Sequence, residues 1–97
     1  MRIDVIGKHL EITDAITSYA SGKAEKLLKF FDGTQQIAIV CEQQPHNNFA
    51  VEVRVDVVKH KAFIAHATGT DLYAAIDSAV DKAGRQIKDF KDQLKAH

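Results

Sequence analysis

Apolar residues recur at every second position in four segments of the chain and at every third or fourth in two others. Residues 1–7 place Ile3 and Val5 on one face and Arg2, Asp4 and Ile6 on the other. Residues 36–42 alternate Ile37, Ile39 and Cys41 against Ala38, Val40 and Glu42. The clearest run sets Phe49, Val51, Val53, Val55 and Val57 against Ala50, Glu52, Arg54, Asp56 and Val58. After a polar patch at Lys59-His60-Lys61, the residues Phe63, Ala65 and Ala67 share a face opposite Ile64, His66 and Thr68. A period of two predicts four half-buried strands. Pro45-His46-Asn47-Asn48 supplies turn chemistry between the second and third.

The helical spacing comes twice. Thr13 is a good N-cap for a helix running to about Phe30, with Asp14 near the positive end of its dipole. Its stripe is Ile16, Ala20, Ala24, Leu27 and Phe31, and Asp32-Gly33 is expected to end it. A second helix is expected to follow Gly69, with Thr70 as its cap, and to continue to about Leu94. Leu72, Ile76, Ala79, Ala83, Ile87, Phe90 and Leu94 form its sustained apolar face. Its end, from about Lys91, is expected to project beyond the sheet.

The order β-α-β-β-β-α defines an α+β fold. The helix between the first two strands implies a parallel pair, and the later strands can pair as antiparallel hairpins. A four-stranded mixed sheet with both helices on one face follows, a two-layer sandwich like that of double-stranded-RNA-binding domains. Without repeat or linker, residues 1–97 are expected to form one domain.

Composition narrows the function. A hydrophobic fraction of 45% and a charged fraction of 27% are those of an ordinary folded domain. The single cysteine, Cys41, allows no internal disulfide. The N-terminus lacks a signal-peptide pattern and no stretch could span a bilayer, so a cytoplasmic protein without a membrane partner is expected. Thirteen basic and thirteen acidic residues cancel, against an indiscriminate polyanion binder. The position of the lysines therefore matters more than their number.

At about 100° per residue from Ile16, Lys23 lies at the edge of the apolar arc, Lys26 near −80° and Lys29 near −140°. These three make a slanting basic ridge with no acidic partner on that flank of the helix. On the second helix, Lys82 and Arg85 repeat the phase from Leu72, and Lys88, Lys91 and Lys95 follow on the other flank, interspersed with Asp77, Asp81, Asp89 and Asp92. Asp81 stands at ion-pair spacing from Arg85. The outer sheet face carries no Phe, Tyr or Trp on which bases could stack, so RNA contact is expected from helices and loops, by shape and phosphate recognition.

Catalytic chemistry is missing from the pattern. None of His9, His46, His60, His66 and His97 stands at metal-ligand spacing from another histidine, and Cys41 has no second cysteine. The strand parity of Cys41 points it into the core, where a thiol is inert packing. There is no phosphate loop, nucleophile elbow or dinucleotide fingerprint. A binding protein with no metal, cofactor or small-molecule substrate is expected, not an enzyme.

The segments IDVIGKHLEITDAI (3–16), K-x-x-K-L-x-K-F-F-D (23–32) and DLYAAIDSAVDKAGRQIKDFKDQLKAH (71–97) resemble the short ribosome hibernation promoting factors of bacteria. That family includes the ribosome-associated inhibitors once labelled sigma-54 modulation proteins. The resemblance covers essentially the whole chain and is strongest over 69–97. It implies binding to the small ribosomal subunit and its rRNA near the decoding centre. It also implies occlusion of the mRNA and tRNA sites, inhibition of translation in stationary or starved cells, and promotion of inactive ribosome dimers, often with a second small factor. Neither the dimerising domain of long members nor the acidic extension of the translation-inhibiting paralogue follows His97, so the resemblance favours the hibernation-promoting branch and a chain that does not tether two ribosomes by itself. The family's basic helix positions fall on Lys23, Lys26, Lys29, Lys82, Arg85, Lys88 and Lys91. Gln86 is a further candidate donor to phosphate or ribose. The rival reading is a protein-interaction module of the same fold that uses a sheet edge.

Overall fold

The computed structural model describes residues 2–29 and 33–95. Strand β1 (Arg2–Lys8) leads to helix α1 (Asp14–Glu25), which tightens into a 3-10 turn (Lys26–Lys29). Strands β2 (Thr34–Gln44), β3 (Asn48–Val57) and β4 (Phe63–Gly69) follow, and helix α2 (Leu72–Lys95) closes the chain. This is the expected α+β order.

The sheet runs β1-β2-β3-β4, with β1 parallel to β2 and the other neighbours antiparallel. Registers align the predicted apolar faces into continuous rows. One row crosses Val5, Ile39, Val53 and Ala65; the next crosses Ile3, Ile37, Val55 and Phe63. Ile37, Ile39, Val53 and Val55 are wholly buried. Truncating such a residue to alanine costs about 2–5 kcal/mol, because the cavity left behind relaxes only in part.

Both helices cover this face. α1 contributes Ile16, Ala20 and Ala24, the two alanines letting its backbone approach the sheet closely, and Leu27 follows from the 3-10 turn. The Thr13 Oγ1 accepts from the Ile16 N–H at 3.2 Å, as expected of the cap. α2 is capped one residue later than expected. Asp71, not Thr70, accepts from the N–H groups of Tyr73 (3.0 Å) and Ala74 (3.3 Å) through Oδ1. An ionised carboxylate is the stronger acceptor at the positive end of a helix dipole.

Two further features differ from expectation, the end of α1 and the burial of Leu94. α1 stops at Glu25, because the Lys26 N–H bonds Lys23 O three residues back and tightens the last turn. The expected stop at Asp32 and the stripe residue Phe31 lie outside the described residues. Leu94, placed on the apolar face of α2, is 54% exposed. Twenty-four residues of helix extend about 36 Å, whereas the seven residues of β4 reach about 23 Å. The last turns of α2 therefore run past the end of β4, and Leu94 is left more than half exposed there.

Candidate nucleic-acid interface

α1 and α2 lie side by side, and a groove of about 380 Å³ opens between them. Lys23, Lys26 and Leu27 form one wall; Val80, Asp81, Gly84, Arg85 and Lys88 form the other. Gly84 is buried and lines the groove. Four cations thus face one carboxylate. The two helices converge because apolar stripes fix their rotation, so the same periodicity that builds the core also aims these charges.

Lys23 is the first correction to the sequence reading. Its ammonium does have an acidic partner, supplied by the other helix: Nζ lies 3.2 Å from Asp77 Oδ1. The Tyr19 hydroxyl donates to the same oxygen at 2.6 Å, and the Tyr19 ring meets Tyr73 edge-on at a centroid distance of 4.9 Å. Tyr19, Lys23, Tyr73 and Asp77 thus clasp the helices together at one end of the groove. The hydrogen bond from Tyr19, aided by Lys23, holds the Asp77 carboxyl below its ordinary pKa, and Asp77 pushes the Tyr19 hydroxyl up to about 12. Lys23 is therefore largely spent on the fold, while Lys26, Arg85 and Lys88 stand exposed along the groove.

The remaining predicted residues are dispersed. Lys29 lines a shallow depression with Ile3, Ser21, Glu25 and Leu28, on the β1 side of α1. Lys82 lies on the opposite flank of α2 and donates from Nζ to His66 O at 3.0 Å. Gln86, one turn on, donates to Ile64 O at 3.1 Å rather than standing free for a ribose or phosphate. These two side chains occupy outward carbonyls of the edge strand β4. Lys91 is half-buried one turn beyond Lys88 and outside the groove lining.

The open sheet face is as expected. Its rows include Asp4–Ala38–Arg54–Ile64 and Ile6–Val40–Glu52–His66, of mixed charge and without phenylalanine or tyrosine. His66 Nε2 lies 2.9 Å from Glu52 Oε1. Cys41 is fully buried, and burial raises its thiol pKa. No group of three or more His, Cys, Asp or Glu side chains could hold a metal among the described residues. None of their helices is long and apolar enough to cross a membrane.

Sequence reasoning missed an aromatic cluster. His60 stacks on Phe63 (4.8 Å between centroids, 12° between planes) and meets Phe90 of α2 at 4.2 Å. The Lys-His-Lys turn was legible only as a turn, since nothing local shows that α2 delivers Phe90 to it.

The family model for sigma 54 modulation protein / S30EA ribosomal protein matches residues 3–95. The chain belongs to that family. Within it, the chain is 35% identical to the ribosome hibernation promoting factor of Escherichia coli K12 over the full length of both. It is 30% identical to the ribosome hibernation promotion factor of Staphylococcus aureus, of which it covers 50%. The crystal structure of the Thermus thermophilus Protein Y N-terminal domain superposes with a TM-score of 0.82 at 35% identity, over 93% of this chain and 99% of that one. A ribosomal subunit interface protein from Coxiella burnetii shares the fold, with a TM-score of 0.85 at 21% identity, over 95% of this chain and 99% of that one. The relatives carry the names of ribosome factors and not of enzymes, in line with a site built of cations and lacking a nucleophile.

Proposed function

We propose that this chain is a ribosome hibernation factor whose residues 1–97 act as one ribosome-binding domain. The observation that carries the reading is the groove in which Lys26, Arg85 and Lys88 converge from two helices locked by a common core. Such a cleft suits the phosphates of structured RNA, because fixed cations lose little freedom on binding and a chain neutral overall suppresses indiscriminate attachment. The full-length likeness to ribosome hibernation promoting factors supports the ribosome as the source of that RNA.

In finer terms, the domain binds the small subunit near the decoding centre, grips rRNA phosphates and occupies space needed by mRNA and tRNA. Translation stops by steric occlusion, and inactive ribosome dimers accumulate in stationary phase with the help of a second small factor. Lys26, Arg85 and Lys88 carry most of the grip. Lys23, Lys29, Lys82 and Lys91 add longer-range attraction. The alternative, strand addition at a sheet edge, is disfavoured at β4, where Lys82 and Gln86 already bond the outward carbonyls.

Co-sedimentation with separated ribosomal subunits across a salt series tests this. With about six phosphates neutralised, the log–log salt slope should be near −5 on duplex-like RNA. The double substitution Lys26→Ala with Arg85→Ala should make it shallower by roughly two. No retention of the wild type on small subunits at low salt would sink the reading.

A further inference from the structure

Beyond the groove, the β3–β4 turn holds an arrangement that the groove's phosphate contacts do not involve. Residues 58–62 join the strands, anchored by the Val58 N–H donating to Gly33 O at 2.9 Å. Lys59, His60 and Lys61 are all exposed, and Lys59 takes the left-handed conformation (φ 59°) that throws the turn outward. Between the two lysines sits the imidazole of His60. Its Nδ1 is 2.7 Å from Lys61 O, and since a carbonyl only accepts, Nδ1 carries the hydrogen. That bond sets the orientation of the ring.

The ring lies flat on Phe63 and leans on Phe90, and the two phenylalanines are 5.4 Å apart. These separations close an acute angle at His60. The phenylalanines therefore support the imidazole from one face and one edge and do not sandwich it. The result is an aromatic ring held on a half-buried apolar base at the protein surface, with a lysine on either side. Phe90 and Lys88 lie two residues apart on α2, about 200° around the helix, so the cluster and the groove occupy opposite flanks of its last turns.

We propose that the His60–Phe63–Phe90 cluster is a stacking seat for one unpaired RNA base, with Lys59 and Lys61 holding the phosphates on either side of it. Every base offers a π face, and stacking on a preset ring between cations is a recurrent way to hold single-stranded RNA without reading its sequence. The proposal rests on the RNA-binding reading above and deepens it. The groove takes backbone along the helices, and the turn takes a base that has left its helix. Single-stranded contact then occurs at a loop, on a protein whose open sheet face carries no phenylalanine, tyrosine or tryptophan to provide it.

The test compares His60→Ala, His60→Phe and Lys26→Ala with wild type for binding to purified small ribosomal subunits and to their protein-free RNA, across a salt series. Melting curves establish that each variant is folded. His60→Ala should bind about tenfold more weakly at every salt concentration with an unchanged salt slope, because stacking releases no counterions. His60→Phe should bind as wild type, and Lys26→Ala should instead flatten the slope. Equal binding by His60→Ala overturns the seat while leaving the groove intact. Equal loss in His60→Phe overturns it too, by showing that the imidazole serves through its hydrogen bond. A defect seen on subunits that vanishes on naked RNA assigns the contact to a ribosomal protein, and the base seat falls. No binding by wild type to either target removes the underlying RNA reading and the seat with it.

Discussion

The Tyr19 hydroxyl of α1 donates a 2.6 Å hydrogen bond to Asp77 Oδ1 of α2, and Lys23 Nζ reaches the same oxygen at 3.2 Å. One carboxylate thus fixes the spacing of the two helices whose cations line the groove. Its pH dependence has two limbs of opposite sign. Asp77 has a lowered folded pKa, so its contribution is present above the ordinary value of 3.8 and is lost as pH falls below it. Tyr19 has a raised folded pKa, so its contribution is present below 10.0 and is lost as pH rises from there to about 12. Melting temperature against pH should show both declines. Tyr19→Phe should remove the alkaline limb and weaken the acid one, and Asp77→Asn should flatten both. An unchanged alkaline limb in Tyr19→Phe would mean that the clasp does not contribute to stability.

Lys26 and Lys29 lie three residues apart yet serve different surfaces, the first lining the interhelical groove and the second the β1 side of α1. Lys26→Ala should weaken binding to small subunits and reduce the salt slope by nearly one unit. Lys29→Ala should do distinctly less in the same assay. Equal losses would place the RNA across the crest of α1 and not in the groove.

The edge of β4 is covered by side chains rather than by another strand. Replacing Lys82 and Gln86 together by alanine uncovers His66 O and Ile64 O, two acceptors ready to pair with a second chain. Sedimentation velocity should then reveal association that grows with concentration and exceeds that of the wild type. Identical profiles would show that the edge needs no cover.

Two glycines should respond oppositely to alanine. Nothing lies within 4 Å of a Cβ built on Gly22, in the exposed middle of α1. Gly22→Ala should therefore stabilise by about 1 kcal/mol through helix propensity, or about 4–8 °C in melting temperature. A Cβ on Gly7 would collide with Leu10 O, and Ile12 Cγ1 would lie only 2.8 Å away. Gly7→Ala should destabilise, because the loop leading into α1 packs directly over that strand. Thermal melts of the two variants decide both signs.

What the sequence disclosed follows the range of the interactions involved. Strict alternation from Val51 to Val57 fixed a strand and its buried face, since side-chain direction in a strand is a local property. Helical phase likewise picked out Lys26 and Arg85, though it set Lys88 on the other flank of its helix. Their convergence needed both helices to be placed. Lys23 found Asp77 on the other helix, Lys82 found a carbonyl on β4, and His60 met Phe90 across the fold. Each of these depends on docking, so a helical projection of one segment could not display it. The early end of α1 was hidden for a different reason. The bond from the Lys26 N–H to Lys23 O changes the pitch without changing which residues are apolar.

The four strands lie in the sheet in the order in which they occur in the chain, and α2 comes last. During synthesis each strand can pair with a neighbour already made. The apolar face of the sheet, however, waits for the final helix to be covered, and half of the groove arrives with that helix. A chain stalled or cut short before Leu72 has no cleft at all. Lys26 and Arg85 therefore face each other across the groove only after α2 has docked, so the charge pattern of the cleft is a product of folding and not of any one segment.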